Sequence, residues 1–93
     1  MPRPRLKRRL RFFPKTTYYK PQGIPLRDIE TIELSHEEWE ALRLKHKEKL
    51  NQNEASLTMN TSQSTYQRIL SLAHEKIAKA IIDGKALKIS YND

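Results

Sequence analysis

A run of short polar residues at 61–65, TSQST, comes directly before a segment with helical periodicity. Glutamine can form two hydrogen bonds with adenine, arginine can form two with guanine, and serine or threonine can bond to either a base or a phosphate. We therefore predict a helix that begins here and reads DNA with its first turns. The side chains expected to contact bases are Gln63, Ser64, Thr65, Gln67 and Arg68.

Helical geometry separates these side chains from the apolar ones. With Tyr66 at the centre of the apolar stripe and an advance of about 100° per residue, Arg68 and Ser71 fall on the opposite side. The free N–H groups and the dipole at a helix start favour a phosphate near Ser62, and we expect Ser71 to contact a phosphate as well. Glu75 lies two turns along on the same outer side. Because its charge repels phosphate, DNA is expected against the N-terminal half only.

The helix starts are marked by capping signals. Ser35 and Glu38 have the spacing of a capping box, and Leu34 with Trp39 has that of a hydrophobic staple. Asn51 opens a second helix with the same cap-plus-acid spacing. The predicted helices span about residues 36–47, 52–59 and 63–82.

The third helix has one apolar stripe along its whole length, because its apolar residues recur at intervals of three and four. These residues are Tyr66, Ile69, Leu70, Ala73, Ile77, Ala80 and Ile81. Asn60 before it favours a tight left-handed turn, and Gly84 is expected just after its end. Alternation over residues 87–91 then predicts a short strand.

Positive charge is concentrated in the first third of the chain. Residues 1–27 hold nine of the 18 Lys and Arg, none of the 11 Asp and Glu, and all five prolines. Proline disfavours helix, so we expect an irregular arm with one short strand near 10–14 and a turn at Gly23. Such an arm suits phosphates or a minor groove. The residues expected to make these contacts are Arg3, Arg5, Lys7, Arg8, Arg9 and Arg11.

Together these patterns predict a mainly α fold. A three-helix domain with a helix-turn-helix would occupy residues 28–93 behind the basic, proline-rich arm at 1–27, with short strands towards both ends. The 93-residue chain is long enough for one such domain.

Several kinds of function are poorly supported. The chain has no cysteine, and its three histidines stand in no ligand or catalytic spacing. We therefore predict no enzyme activity, no metal, no cofactor and no small-molecule ligand. No apolar run approaches the roughly 20 residues that span a bilayer, so we expect a cytoplasmic protein without a membrane partner.

Several short motifs in order resemble one family. They are MPRPR at 1–5, FP at 13–14, PQGIPL at 21–26, EALRL at 40–44, QNEA at 52–55, STYQRIL at 64–70 and GKALKI at 84–89. The chain resembles domain-of-unknown-function family 134, small bacterial and archaeal predicted DNA-binding proteins. The resemblance implies a helix-turn-helix like that of the fourth region of bacterial sigma factors.

Four positions depart from that family's pattern. Asn60 stands where the turn glycine is usual, and Lys49 stands where a glycine precedes Leu50. Thr61 replaces an apolar residue, and Lys7 takes the place of a cysteine.

These observations favour a sequence-specific double-stranded DNA-binding protein that regulates transcription. We also expect a homodimer, because two-fold proteins match palindromic sites. The residues expected at its contact are Ile77, Ile81, Ile82, Leu87 and Ile89. Two alternatives stay open: an RNA-binding or ribosome-associated basic protein, and a protein-interaction adaptor in which the helix-turn-helix is only a docking module.

Overall fold

The computed structural model describes residues 16–91, and their fold is mainly α with a small three-stranded sheet. Helix α1 is α-helical over His36–Leu42 and continues as one π-helical turn over Arg43–Lys47. Helices α2 and α3 span Gln52–Thr58 and Gln63–Asp83. The three helices predicted from the sequence are thus confirmed to within a residue at each end. The strand expected near 10–14 lies outside the described residues.

The sheet joins both ends of the described chain. Its strands are β1 (Thr16–Tyr19), β2 (Thr31–Leu34) and β3 (Ala86–Ser90), with a short 3-10 turn at Leu26–Asp28 between the first two. Strand β3 is central, antiparallel to β1 and parallel to β2. Parallel neighbours require a long crossover, and the three helices supply it. The predicted C-terminal strand is confirmed.

Two segments of the sheet correct the sequence interpretation. Residues 16–19 were expected to be part of an irregular arm, but they form β1 because β3 offers them a ladder of backbone hydrogen bonds. Strand β2 was not predicted, since its four residues are too few to show a clear alternation. The expected turn at Gly23 is confirmed, with a φ of 87°.

Helix α3 takes part in two apolar clusters. With the sheet it buries a cluster of Leu34, Ala73, Ala80, Leu87 and Ile89. With α1 and α2 it buries a second cluster of Ala41, Leu44, Ala55, Tyr66 and Leu70. Fully buried alanines let these helices approach closely. The predicted stripe is confirmed except at its end, where Ile81 is 75 % exposed because it borders an open groove beside β1.

The start of α1 is tied to α3 by a buried carboxylate. The Ser35 hydroxyl accepts a hydrogen bond from the Glu38 amide (3.1 Å), and Glu38 Oε1 accepts one from the Ser35 amide (2.9 Å), so the predicted capping box is confirmed. Lys76 Nζ of α3 lies 2.8 Å from Glu38 Oε1 and donates to the Glu33 carbonyl, also at 2.8 Å. Burial alone would raise the pKa of Glu38, but the hydrogen bonds from Lys76 and Ser35 outweigh it and lower that pKa.

All three helices end in the same way. Each is followed by a residue with left-handed backbone: Lys49 (φ 60°), Asn60 (φ 57°) and Gly84 (φ 67°). The amide after each of them donates to a carbonyl inside the preceding helix, at 3.0, 2.9 and 2.9 Å. Such bonds satisfy carbonyls that have no partner within the helix. The predicted roles of Asn60 and Gly84 are confirmed, whereas Lys49 adopts this conformation despite its side chain.

Replacing Lys49 by glycine should therefore stabilise the fold. A left-handed conformation costs an L-residue roughly 1–2 kcal/mol, and glycine avoids that cost while losing more freedom on folding. We expect Lys49→Gly to raise the free energy of unfolding by about 0.5–1 kcal/mol, measured by urea denaturation. As a matched control, Lys47→Gly within the helical turn should lower it by about 1 kcal/mol. A destabilised Lys49→Gly variant would contradict this account.

The Glu38 carboxylate should contribute to acid stability. Because its pKa is lower in the folded chain than its ordinary value of 4.5, ionised Glu38 stabilises the fold above that value. The contribution is lost as the pH falls through the folded-state pKa. We expect Glu38→Gln to lower the free energy of unfolding by about 1–3 kcal/mol at neutral pH, and to lose less stability than wild type on acidification.

Denaturation series across the acid range would measure this difference. Glu37→Gln, an exposed neighbour on the same turn, controls for the loss of one negative charge. If the free energy of unfolding falls equally for Glu38→Gln and wild type as the pH is lowered, the Glu38 carboxylate is not responsible for the acid dependence.

Candidate nucleic-acid interface

The N-terminal half of α3 presents a polar outer face. Ser64, Gln67, Arg68 and Ser71 are all exposed, on the side away from the buried Tyr66. Residues 63–74 contain no acidic residue, and Glu75 is the first on the helix. The structure therefore brings together four of the residues singled out from the sequence, on a surface that can donate and accept hydrogen bonds without repelling a polyanion.

Three hydroxyls at the helix start contact one another, because the Ser62 hydroxyl lies within hydrogen-bond range of both Ser64 (3.3 Å) and Thr65. The Ser62 hydroxyl caps α3 by accepting from the Thr65 amide at 3.1 Å, and it also lies 2.9 Å from the Thr65 hydroxyl. Thr65 is half-buried, whereas Ser64 beside it is exposed. The Thr65 hydroxyl thus lies beside the helix cap.

The first residue of α3 forms a bridge to α2. Gln63 Nε2 donates to Asn53 Oδ1 at 3.1 Å, and Gln52 Nε2 donates to the Gln63 carbonyl at 3.4 Å. Sequence reasoning missed Gln52 and Asn53 as parts of this surface. The signal was present as a pair of exposed amides at the start of α2, but only the packing of α2 on α3 brings them to Gln63. The bridge orients the Gln63 amide.

Tyr66 fixes the rotation of α3 about its own axis. Its side chain is 1 % exposed, and its hydroxyl donates to the Ala41 carbonyl at 3.1 Å. Burial raises the pKa of this hydroxyl, which therefore stays protonated as a donor. Because Tyr66 must point inward, Ser64 and Arg68, two residues to either side, must point outward.

Basic side chains lie at the end of α1, close to α3. Lys45, His46, Lys47 and Lys49 are exposed there, and His46 Nε2 lies 2.9 Å from His74 Nε2 on α3. The spacing of the three histidines in the sequence did not reveal that two of them meet in the fold. Within residues 16–91, no three His, Cys, Asp or Glu side chains are grouped so that they could hold a metal ion.

Other residues singled out from the sequence are placed differently. The six arm residues expected to meet phosphates, Arg3 to Arg11, lie outside the described residues. Leu87 and Ile89 were expected at a dimer contact, but they are buried in the core because β3 is the central strand. Ile81 and Ile82 are 75 % and 79 % exposed, and Ile77 is half-buried.

No helix between residues 16 and 91 is long and apolar enough to cross a bilayer.

The fold and this surface define a small, mainly α protein in which a short helix, a tight turn and a long helix expose polar side chains beside a basic segment. The family described as "Protein of unknown function DUF134" matches residues 1–93, and the chain belongs to it. The resemblance seen in the sequence motifs is therefore confirmed.

Curated relatives of this chain share the name UPF0251 protein. The chain is 50 % identical to a "UPF0251 protein" of Halothermothrix orenii over its full length, which covers 69 % of that relative. It is 46 % identical to one of Moorella thermoacetica over 96 % of this chain and 60 % of the relative. A Dehalococcoides mccartyi relative is 53 % identical over 96 % of this chain and 76 % of its own length. No solved structure matches the chain.

Proposed function

We propose that this protein binds double-stranded DNA in a sequence-specific manner and regulates transcription. In this proposal α2 and α3 form a helix-turn-helix, and α3 enters the major groove. The observation that carries it is the outer face of α3, where Ser64, Gln67, Arg68 and Ser71 are exposed together and no acidic residue precedes Glu75. The turn supports it, since Asn60 takes the left-handed conformation that joins two such helices tightly.

The dimensions of helix and groove favour DNA. A helix with its side chains is about 10–12 Å across, and the major groove of B-form DNA is about 12 Å wide. The deep, narrow major groove of A-form RNA does not admit side chains in this way. An exposed helix face with amide, guanidinium and hydroxyl groups therefore suits duplex DNA better than duplex RNA.

The residues would have distinct roles. Arg68 and Gln67 are the proposed base readers, Gln63 acts from its bridge with Asn53, and Ser62 and Ser71 meet phosphates. The basic residues of the arm would neutralise further phosphates or enter the minor groove. Ser64 and Thr65 are further proposed base readers at the start of α3, where their hydroxyls lie beside that of Ser62.

Removing Arg68 should reduce specificity more than general affinity. A preferred site is first selected from a random DNA pool, and binding is then measured on that duplex and on a scrambled one. We expect Arg68→Ala to cost roughly 1–3 kcal/mol on the preferred site and little on scrambled DNA. Arg27→Ala, the same change at an exposed arginine outside α3, should leave the ratio between the two duplexes unchanged.

Other outcomes identify the alternatives. Equal weakening of both duplexes would make Arg68 a phosphate contact. Preferential binding to RNA of equal length would support the ribosome-associated or RNA-binding function. The absence of any salt-dependent affinity for nucleic acid would favour the protein-interaction adaptor.

We further propose a homodimer with its contact at the C-terminal end of α3. Ile81 and Ile82 are largely exposed there, and Ile77 and Ile81 line an open, mostly apolar groove of about 430 Å³. Ile82 lies 11 residues beyond Ser71, or about 16 Å along the helix, so a partner at that end would leave the outer face free.

Light scattering should give wild type twice the mass of one chain. Ile82→Glu should give the mass of a single chain, because a carboxylate in an apolar contact is costly to desolvate. Leu57→Glu, which changes another exposed apolar residue on α2 (69 % exposed), should remain dimeric. A single-chain mass for the wild type at high micromolar concentration would refute the dimer.

A further inference from the structure

The end of α1, the turn after it and the start of α2 lie along one flank of α3. At one end His46 contacts His74 (2.9 Å), and at the other Asn53 contacts Gln63 (3.1 Å). His74 and Gln63 are 11 residues apart on α3, which corresponds to about 16 Å. Residues 46–53 therefore accompany the N-terminal half of α3, the same half whose outer face is polar.

This flanking segment carries available positive charge. Lys47 and Lys49, which we call the lysine ridge, are exposed. Neither lysine forms an ion pair with another residue between 16 and 91. The acidic residue among them, Glu48, is paired with Arg43 at 3.0 Å. Glu54, just after the segment, is engaged in the capping box of α2.

We propose that the lysine ridge binds the phosphate backbone at one edge of the groove that α3 occupies. This inference rests on the proposed function and names a second surface for the same partner. Because a helix about 10–12 Å across nearly fills a groove about 12 Å wide, a segment beside its flank lies at the groove wall. The groove wall is a row of phosphates, which lysine recognises as a point charge.

Three features hold the ridge in place. The π-helical turn at Arg43–Lys47 ends α1 and sets the direction of His46. The two imidazoles are in hydrogen-bond range, with one nitrogen donating and the other accepting. The left-handed Lys49 then reverses the chain and directs it back along α3. The ridge is thus attached to α3 at both ends, and its distance from the outer face is fixed by packing.

The salt dependence of binding tests this contact. Log affinity falls as log salt concentration rises, and each lost phosphate contact makes this decline less steep by about 0.9 for B-form DNA. The double variant Lys47→Gln and Lys49→Gln should therefore make the decline less steep by about 1.8 on both the preferred and the scrambled duplex. Its ratio between the two duplexes should stay that of wild type, since phosphates carry no sequence.

A second double variant controls for net charge. Lys79→Gln and Lys88→Gln remove the same charge from the C-terminal part of α3 and from β3, away from the ridge. This control should leave the slope close to that of wild type. Thermal unfolding of both variants checks that each is folded under the binding conditions.

The outcomes separate this inference from the proposed function. Equal slopes for the two double variants would overturn the ridge contact, even if Arg68→Ala still reduces specificity. A wild type without affinity for duplex DNA would overturn the proposed function itself. A reduced slope for the ridge variant alone supports the contact, and a changed ratio between the duplexes would show that the lysines read bases instead.

Discussion

The arrangement of this molecule depends on the burial of Tyr66. The residue stands in the second turn of α3, 1 % exposed, and its hydroxyl donates to a carbonyl of α1. A buried hydroxyl without a partner is costly, so this bond selects one position of the phenol. Since the phenol must reach Ala41, the rotation of α3 about its axis is fixed, and with it the direction of every side chain on the outer face.

Helix α3 packs against different neighbours along its length. Its first three turns pack on α1 and α2 through Tyr66 and Leu70, and its later turns pack on the sheet through Ala73 and Ala80. Lys76 joins these regions, because it bonds to the Glu38 carboxylate at the start of α1 and to the Glu33 carbonyl at the end of β2. One helix is thereby held against both layers, while its outer face touches neither.

The end of α1 and the residues that follow it combine local strain with charge. The π-helical turn is a rare form of helix, and the left-handed conformation of Lys49 is one that glycine usually adopts at a helix end. Non-glycine residues in such conformations persist where surrounding contacts over-determine them, and they often occur at functional surfaces. Here the contacts are the His46–His74 pair and the amide bridge at Gln63. They place strain and positive charge beside the surface proposed to meet DNA.

The sequence by itself determined the helices, because their signals are local. The Ser35–Glu38 capping box, the left-handed Asn60 and the terminal Gly84 each act within one turn, and the structure has all three. The outward direction of Arg68 followed in the same way from the periodicity around Tyr66. The contacts between helices and the pairing of the strands could not be predicted from the sequence, because the partners are far apart along the chain.

Only the tertiary structure decided which elements meet. Strand β2 is too short to be recognised alone, and it exists because β3, some 50 residues later, offers it a ladder of hydrogen bonds. The same long-range pairing buries Leu87 and Ile89, which alternation alone left as candidates for a dimer contact. The contacts of His46 with His74 and of Asn53 with Gln63 likewise depend on how α1 and α2 pack against α3. Local residue patterns encode hydrogen bonds within a turn, but burial and charge at a surface depend on the neighbours that the complete fold supplies.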